Sequence, residues 1–191
     1  MLKSIGKNTK MINNMNIALV AHDSRKRELI EWVKYNLNEL KKHNLFATGT
    51  TGKLIKEISE LYIVKTYAPT EYKSDDYDKY GGTYEAPHWN EYPLKDKVTC
   101  LHSGPLGGDA EIGAKIANGE IDVLIFFCDN LIQQGHQNDI YGLTRLASLY
   151  NIAFATNRTT ADMILTSSLF NNSTYKRIVP EAIEKYKNRP V

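Results

Sequence analysis

Cysteine is scarce in this sequence: two of its 191 residues are cysteines, Cys100 and Cys128. So small a number argues against the disulfide framework of a compact secreted domain and against a cysteine-based metal site. Each cysteine ends an apolar run, a position that predicts a small buried hydrophobic side chain. The scarcity also favours a reducing compartment, so we expect a cytoplasmic protein.

Long apolar runs and a strong charge of one sign are missing as well. The longest apolar run, 123–128, is far shorter than the ~20 residues that cross a bilayer, and the N-terminus lacks the apolar stretch of a signal peptide. Lys and Arg number 24 against 22 Asp and Glu, a formal net charge of +2. This balance predicts no general attraction to nucleic acid or to a membrane. We therefore expect a small-molecule partner bound at a local site.

Short apolar runs alternate with amphipathic segments along most of the chain. After the run at 16–22, apolar side chains recur every three to four residues from Leu29 to Leu40. Strand and helix then alternate again from LFAT, VTCLH, VLIFFC and IAFAT, with later helices predicted at about 139–150 and within PEAIEKYK. The pattern predicts an α/β fold: a doubly wound three-layer domain with a mostly parallel five-stranded sheet and helices on both faces.

Two regions depart from this alternation. Residues 1–14 show no apolar period and are predicted to form an N-terminal tail, so that the domain covers 15–191. Between 64 and 97, six tyrosines, Trp89 and three prolines occur, and neither the helical nor the strand periodicity of apolar residues is present. Because simple disorder normally lacks aromatic residues, we interpret this tyrosine-rich segment as an ordered insertion. It lies either on the outer surface or toward a neighbouring subunit or the mouth of the active site.

Polar residues follow each predicted strand. In open parallel sheets, ligands bind outside the carboxyl ends of the strands, so these residues are expected to form one site. In chain order they are His22, Asp23 and Lys26, then 48–52, then 103–109, then Asp129, His136 and Asp139, and finally Thr156 and Asn157.

Two of these loops are rich in groups that bind anions. ATGTTGK combines hydroxyls and glycines where a strand enters a helix, and SGPLGG offers a second set of backbone donors. Glycine lets amides approach a ligand, and a helix N-terminus favours negative charge. Either loop alone is as well explained by a turn with a threonine N-cap. Two such loops at one edge favour a phosphate, although the spacing is not that of a P-loop.

Asp109 directly follows the second loop. Capping the next helix is the commonest use of an aspartate there, yet so many glycines favour a ligand close to the backbone beside the carboxylate. Next to a phosphoester, a carboxylate is suited to removing a proton. His22 and His136 can donate to a carbonyl oxygen that gains charge, and Asp139 stands three residues from His136, where it can fix the tautomer. This combination indicates an enolisation site.

The sequence resembles the methylglyoxal synthases. It shares with them IALVAHD, ATGTTG, SGPLGGD, IDVLIFF, HQND and ATN…TAD, in the family's order and approximate spacing, over about 15–63 and 98–191. The resemblance implies conversion of dihydroxyacetone phosphate to methylglyoxal and inorganic phosphate, without a metal or an organic cofactor. It also implies a homohexamer with inorganic phosphate as an allosteric inhibitor.

The resemblance assigns roles to individual residues. Asp109 matches the general base, and His136 matches the histidine that polarises the carbonyl and moves protons on the enediol. His22 and Asp139 match further active-site residues. The residues that match the phosphate-binding set are Lys26, Thr48, Gly49, Thr50, Thr51, Ser103, Gly104 and Arg189. The residues that match those linking the subunits of the family's hexamers are Asp23, Arg145 and Arg189.

Some positions depart from the family pattern. The insertion 64–97 replaces a short link, and Asn130 stands where proline is frequent. His102 stands where leucine is common, and we expect it to be a packed strand-end residue. His43 and His88 receive no role.

Two other functions are compatible with the same fold. One is a regulatory domain that senses phosphate or a nucleotide, and the other is a sugar-phosphate isomerase. The presence of Asp109, His22, His136 and Asp139 together favours an enzyme over a sensor. Release of free phosphate would separate the lyase from the isomerase.

Overall fold

The computed structural model describes residues 14–57, 94–131 and 137–189, without the side chains of 137–139. Nearly all of the predicted tail and of the tyrosine-rich insertion lies outside the described residues. His136 and the side chain of Asp139 lie outside them as well.

Five parallel strands form a single sheet. They are β1 (Asn16–Ala21), β2 (Asn44–Ala47), β3 (Val98–Cys100), β4 (Val123–Phe127) and β5 (Ala153–Ala155). Their order across the sheet is β3-β2-β1-β4-β5, with Ile17 of β1 paired with Leu45 on one side and with Val123 on the other. The prediction of an α/β fold with a five-stranded parallel sheet is confirmed.

Helices follow the strands, as the alternation predicts. They are α1 (Lys26–Tyr35), α2 (Leu37–Leu40), α3 (described over 49–57), α4 (Gly108–Ala117), α5 (Gln137–Leu149), α6 (Arg158–Thr166) and α7 (Glu181–Lys187). Single 3-10 turns at Asp23–Arg25 and Gly104–Leu106 precede α1 and α4. Within the three described ranges, no helix combines the length and the hydropathy needed to cross a membrane.

Asn36 divides the first predicted helix into α1 and α2. Its backbone N–H and its side-chain Nδ2 both donate to the carbonyl of Trp32, at 3.0 and 3.1 Å. An asparagine side chain that bonds to the backbone in this way competes with helical hydrogen bonds, which explains the break.

Alternate residues of β1 point to opposite faces of the sheet. Ile17 and Leu19 belong to a buried cluster that includes Trp32 of α1, whereas Ala18 belongs to a second cluster that includes Ile112 of α4. β4 is buried along its whole length. A central strand buried on both faces is the pattern of a parallel sheet covered by helices on both sides, as predicted.

The prediction that both cysteines are buried is wrong for Cys100. That residue is exposed at the end of β3, which stands at the edge of the sheet among the described strands. Cys128 is half-buried, and burial raises the pKa of its thiol to about 11. Cys128 therefore stays protonated at neutral pH and is a poor nucleophile.

The strands on either side of the boundary between β1 and β4 are added in opposite directions across the sheet. The chain proceeds from β1 to β2 and β3 on one side, and then crosses to β4 and β5 on the other. At such a switch point, neighbouring loops diverge and leave a crevice at the carboxyl ends of the strands. His22 follows β1 and Cys128 follows β4, so the loops that carry the predicted site residues begin at this crevice.

Candidate active site

His22 is a buried residue directly after β1, at the switch point. Its backbone N–H donates to the carbonyl of Phe127 at 3.2 Å, which extends the pairing of β1 and β4 by one residue. Its ring Nδ1 accepts a hydrogen bond from the backbone N–H of Asp129 at 2.7 Å. A ring nitrogen that accepts holds a lone pair, so the neutral ring carries its proton on Nε2. Nε2 is thereby a hydrogen-bond donor.

Asp109 is the second residue of α4, and its side chain is 3% exposed. It is not the N-cap, because that position is taken by Gly107 in a left-handed conformation with φ of 103°. Its carboxylate rests against Gly104: a Cβ placed on Gly104 would lie 3.0 Å from Oδ2 and 3.3 Å from Oδ1. The glycine-rich loop thus leaves room for a carboxylate held at a helix N-terminus, where negative charge is favoured.

The two glycine-rich loops meet at the backbone of 101–103. Gly49 donates its N–H to the carbonyl of His102 at 3.0 Å, and Gly108 donates its N–H to the carbonyl of Ser103 at 3.0 Å. A Cβ on Gly49 would lie 2.8 Å from the Leu101 carbonyl oxygen, and a Cβ on Gly108 would lie 2.0 Å from that of His102. No side chain fits at either position. The glycines therefore bring the first turns of α3 and α4 to one short segment.

The threonines lie at the start of α3, as predicted. Thr48 and Thr51 are buried, Thr50 is exposed, and the hydroxyls of Thr48 and Thr51 are 3.3 Å apart in a hydrogen bond. The Thr48 carbonyl accepts the N–H of Gly52 at 2.8 Å, so Thr48 stands at the N-cap position. Both hydroxyls stand at the positive end of the helix, where an N-cap role and a role in binding an anion are compatible.

Lys26 contributes a positive charge to the loop after β1. Its side chain is 20% exposed, and its ammonium pairs with the carboxylate of Asp23, whose side chain is 93% exposed. Ion pairs with so exposed a partner contribute little to stability. The ammonium can therefore exchange Asp23 for a bound anion at small cost.

Asp129 is a buried carboxylate directly after β4. Its Oδ2 accepts a hydrogen bond from the Ser24 hydroxyl at 2.5 Å, and its Oδ1 accepts one from the Leu131 N–H at 3.0 Å. The sequence predicts Asp129 at this edge of the sheet but assigns it no role. The missing information was its backbone contact with His22, which no side-chain pattern encodes.

Comparison with known proteins identifies the family. A family model described as an MGS-like domain matches residues 81–156. The methylglyoxal synthase of Coxiella burnetii (strain Dugway 5J108-111) is 43% identical over 173 residues, which cover 91% of this chain and 95% of that protein. This chain belongs to the methylglyoxal synthase family.

Further members of the methylglyoxal synthase family agree with this assignment. The methylglyoxal synthase of Leptospira interrogans serogroup Icterohaemorrhagiae serovar Lai (strain 56601) is 41% identical over 163 residues, or 85% of this chain and 86% of that protein. The crystal structure of methylglyoxal synthase from Elizabethkingia anophelis NUHP1 is 34% identical, with a TM-score of 0.68 and 95% of each chain covered. The family membership predicted from the sequence motifs is confirmed.

His102 departs from the expectation of a packed strand-end residue. Its side chain is 71% exposed, and its Nδ1 pairs with one carboxylate oxygen of Glu111 on α4. The other oxygen of Glu111 accepts the backbone N–H of His102 at 3.3 Å. The bond from the His102 side chain is the main cause that lowers the pKa of Glu111. In this member of the methylglyoxal synthase family, His102 therefore helps to hold the start of α4 against the end of β3.

The remaining predicted residues are placed as follows. Asn157 caps α6, its side chain accepting the N–H of Thr160 at 2.9 Å, which is a structural role. Arg189 follows α7 and stacks its guanidinium on Tyr186, 4.1 Å from the ring centroid. Asp139 lies in the first turn of α5. Among the side chains that the structure describes, no three His, Cys, Asp or Glu residues are grouped to hold a metal ion.

Proposed function

We propose that this chain is a methylglyoxal synthase, a carbon–oxygen lyase that converts dihydroxyacetone phosphate to methylglyoxal and inorganic phosphate. The observation that carries the proposal is the buried carboxylate of Asp109, which rests against Gly104. The loop that contains Gly104 is joined through 101–103 to the hydroxyl-rich start of α3. A proton acceptor thus lies beside an anion-binding helix terminus. The relatives described above are methylglyoxal synthases, which supports the same activity.

The substrate's phosphate binds at the start of α3. The hydroxyls of Thr48, Thr50 and Thr51 and the backbone N–H groups of the first turn other than that of Gly49, which donates to His102, are its donors, and Lys26 supplies the positive charge. Ser103 and Gly104 contribute from the neighbouring loop, and Arg189 completes the set. The assignments of Lys26, the threonines, Ser103 and Gly104 follow the family resemblance together with their positions after β1, β2 and β3. That of Arg189 follows the resemblance alone.

Asp109 removes a proton from the carbon of the hydroxymethyl group next to the carbonyl. Such a carbon acid is too weak to yield its proton to a carboxylate unless donors hold the developing enediolate oxygen. His22 is suited to this task because its proton is on Nε2. His136 polarises the carbonyl and moves protons on the enediol, and Asp139 orients it.

Phosphate then leaves with both electrons of the C–O bond. The enediolate collapses to an enol, which gains a proton on carbon and tautomerises to methylglyoxal. The step requires the C–O bond to stand perpendicular to the enediolate plane, where it overlaps the π system. A clamp of several hydroxyls and amides on the phosphate can hold that angle, whereas an isomerase would keep the bond in the plane.

The same proposal includes three properties taken from the resemblance. They are a homohexameric assembly, inhibition by inorganic phosphate, and turnover without a metal or an organic cofactor. The two cysteines of the sequence support a cytoplasmic location.

The test is to incubate the purified protein with dihydroxyacetone phosphate, without added metal, and to follow inorganic phosphate and a trapped dicarbonyl together. Equal release of both supports the synthase. Formation of an aldose phosphate without free phosphate would instead indicate an isomerase. Binding of the substrate without any product would indicate a sensor, and either result would refute the proposal.

A further inference from the structure

We propose that Ser24 is a positioning residue that acts through Asp129 to hold His22 in the tautomer with its proton on Nε2. The consequence for turnover rests on the proposed function. The structural part rests on hydrogen bonds between the loops after β1 and β4, which meet at the switch point of the sheet.

Three described hydrogen bonds join these two loops. The His22 N–H donates to the Phe127 carbonyl at 3.2 Å, the Asp129 N–H donates to His22 Nδ1 at 2.7 Å, and the Ser24 hydroxyl donates to Asp129 Oδ2 at 2.5 Å. Asp129 is thus bonded to two residues of the segment after β1, to Ser24 through its carboxylate and to His22 through its backbone N–H. The ring of His22 cannot turn without breaking the contact with Asp129.

The backbone N–H of Asp129 selects the tautomer because it can only donate. A hydroxyl or a water molecule in its place could donate or accept, and would allow either tautomer. The direction of this N–H depends on how the peptide after β4 is held. The Asp129 carboxylate holds it from both sides, with the Leu131 N–H on Oδ1 and the Ser24 hydroxyl on Oδ2.

Ser24 is the removable part of this arrangement. It is exposed in the 3-10 turn Asp23–Arg25, so replacing it by alanine removes a hydroxyl without opening a cavity. The carboxylate of Asp129 then loses this donor on Oδ2, which weakens the hold on its orientation. A hydrogen bond to a charged group is among the stronger ones in proteins, so its loss is expected to release the Asp129 peptide.

The effect on turnover follows from the tautomer. With the proton on Nδ1, Nε2 would present a lone pair to an enediolate oxygen and repel it. Binding of the substrate phosphate at the start of α3 would be unaffected. We therefore expect Ser24→Ala to lower kcat about tenfold, the scale of one lost hydrogen bond, while KM stays within about twofold.

The experiment measures the tautomer directly by nitrogen-15 solid-state NMR of protein labelled at the histidine rings. The chain has five histidines, and the His22→Gln variant identifies the signals of His22. We expect a lone-pair signal for Nδ1 and a protonated signal for Nε2 in the parent protein. Ser24→Ala should shift both toward averaged values, and Ser24→Thr, which keeps the hydroxyl, should restore them.

Ser148→Ala is the matched control, since Ser148 is also exposed but lies on α5. It should leave the His22 signals and kcat unchanged. Unchanged His22 signals in Ser24→Ala would overturn the proposal, whatever its kcat. If the parent protein does not turn over dihydroxyacetone phosphate, the proposed function fails, but the NMR comparison still decides whether Ser24 positions His22.

Discussion

Alanine at position 104 would crowd the carboxylate of Asp109. The backbone accepts the change, because positive φ at glycine occurs in the described residues at Gly107 and Gly119 and not at Gly104. The added Cβ would lie 3.0 Å from Asp109 Oδ2, so the carboxylate must retreat by about 0.4 Å, the difference from an ordinary contact of 3.4 Å. A misplacement of ~1 Å at a reacting group costs about 100-fold in rate. Scaled to this shift, kcat should fall about five- to tenfold.

Stability should change little in the same variant. Overpacking against the carboxylate costs ~1 kcal/mol, and the reduced freedom of the unfolded chain returns ~0.4–1 kcal/mol. The assay is therefore kcat and KM for dihydroxyacetone phosphate beside the free energy of unfolding in urea.

Gly142→Ala is the matched control for this variant. Among the described residues, a Cβ on Gly142, within α5, would meet no heavy atom within 4 Å beyond the nearby backbone of its own helix. This variant should gain up to ~1 kcal/mol of stability from helix propensity and keep its kcat. A Gly104→Ala enzyme with the kcat of the parent protein would contradict this prediction, because the reacting carboxylate could not then be the one that rests on Gly104.

Three further predictions concern the base, a buried histidine and the insertion. Asp109→Asn cannot accept the proton, so kcat should fall ~10²–10⁴-fold while a phosphate analogue still binds by calorimetry; near-normal turnover would exclude Asp109 as the base. Burial lowers the pKa of His43 in the folded state. At a pH below ~6.5, the pKa of histidine in the unfolded chain, the unfolded state therefore binds a proton that the folded state does not bind. Tm should therefore fall as the pH drops from about 7 to 5, and less so in His43→Gln; equal slopes would contradict this. Removing 66–93, which leaves the buried core residue Leu94 in place, should spare turnover if the insertion is peripheral, and an inactive but folded product would show that it shapes the site or the oligomer.

The carboxyl edge of the sheet could be predicted because each strand is a short apolar run that ends in polar residues. His22, Thr48 and Asp109 follow such runs and lie where expected. The same reasoning missed the exposure of Cys100, since the position of β3 at the edge of the sheet depends on strand order and not on local pattern.

Two site features depended on backbone contacts and could not be predicted from side-chain types. The backbone N–H of Asp129 donates to the ring of His22, and the backbone carbonyl of His102 accepts the N–H of Gly49. The roles of His136, Asp139 and Arg189 stay predictions that rest on the family resemblance. The residues whose side chains make their contacts directly, such as Thr48 and Thr51, were the ones that motif reasoning could locate.

The meeting point at 101–103 has a consequence for which substitutions this protein tolerates. Positions 49 and 108 cannot accept any side chain without displacing a peptide carbonyl, so they are closed to change. Position 102 between them contributes its carbonyl to Gly49, and every residue type has a carbonyl. The bond to Gly49 therefore does not depend on the side chain at position 102, although in this chain the His102 side chain adds its pair with Glu111. Substitutions at positions 49 and 108 are therefore expected to disrupt this joint, whereas those at position 102 remove at most the pair with Glu111.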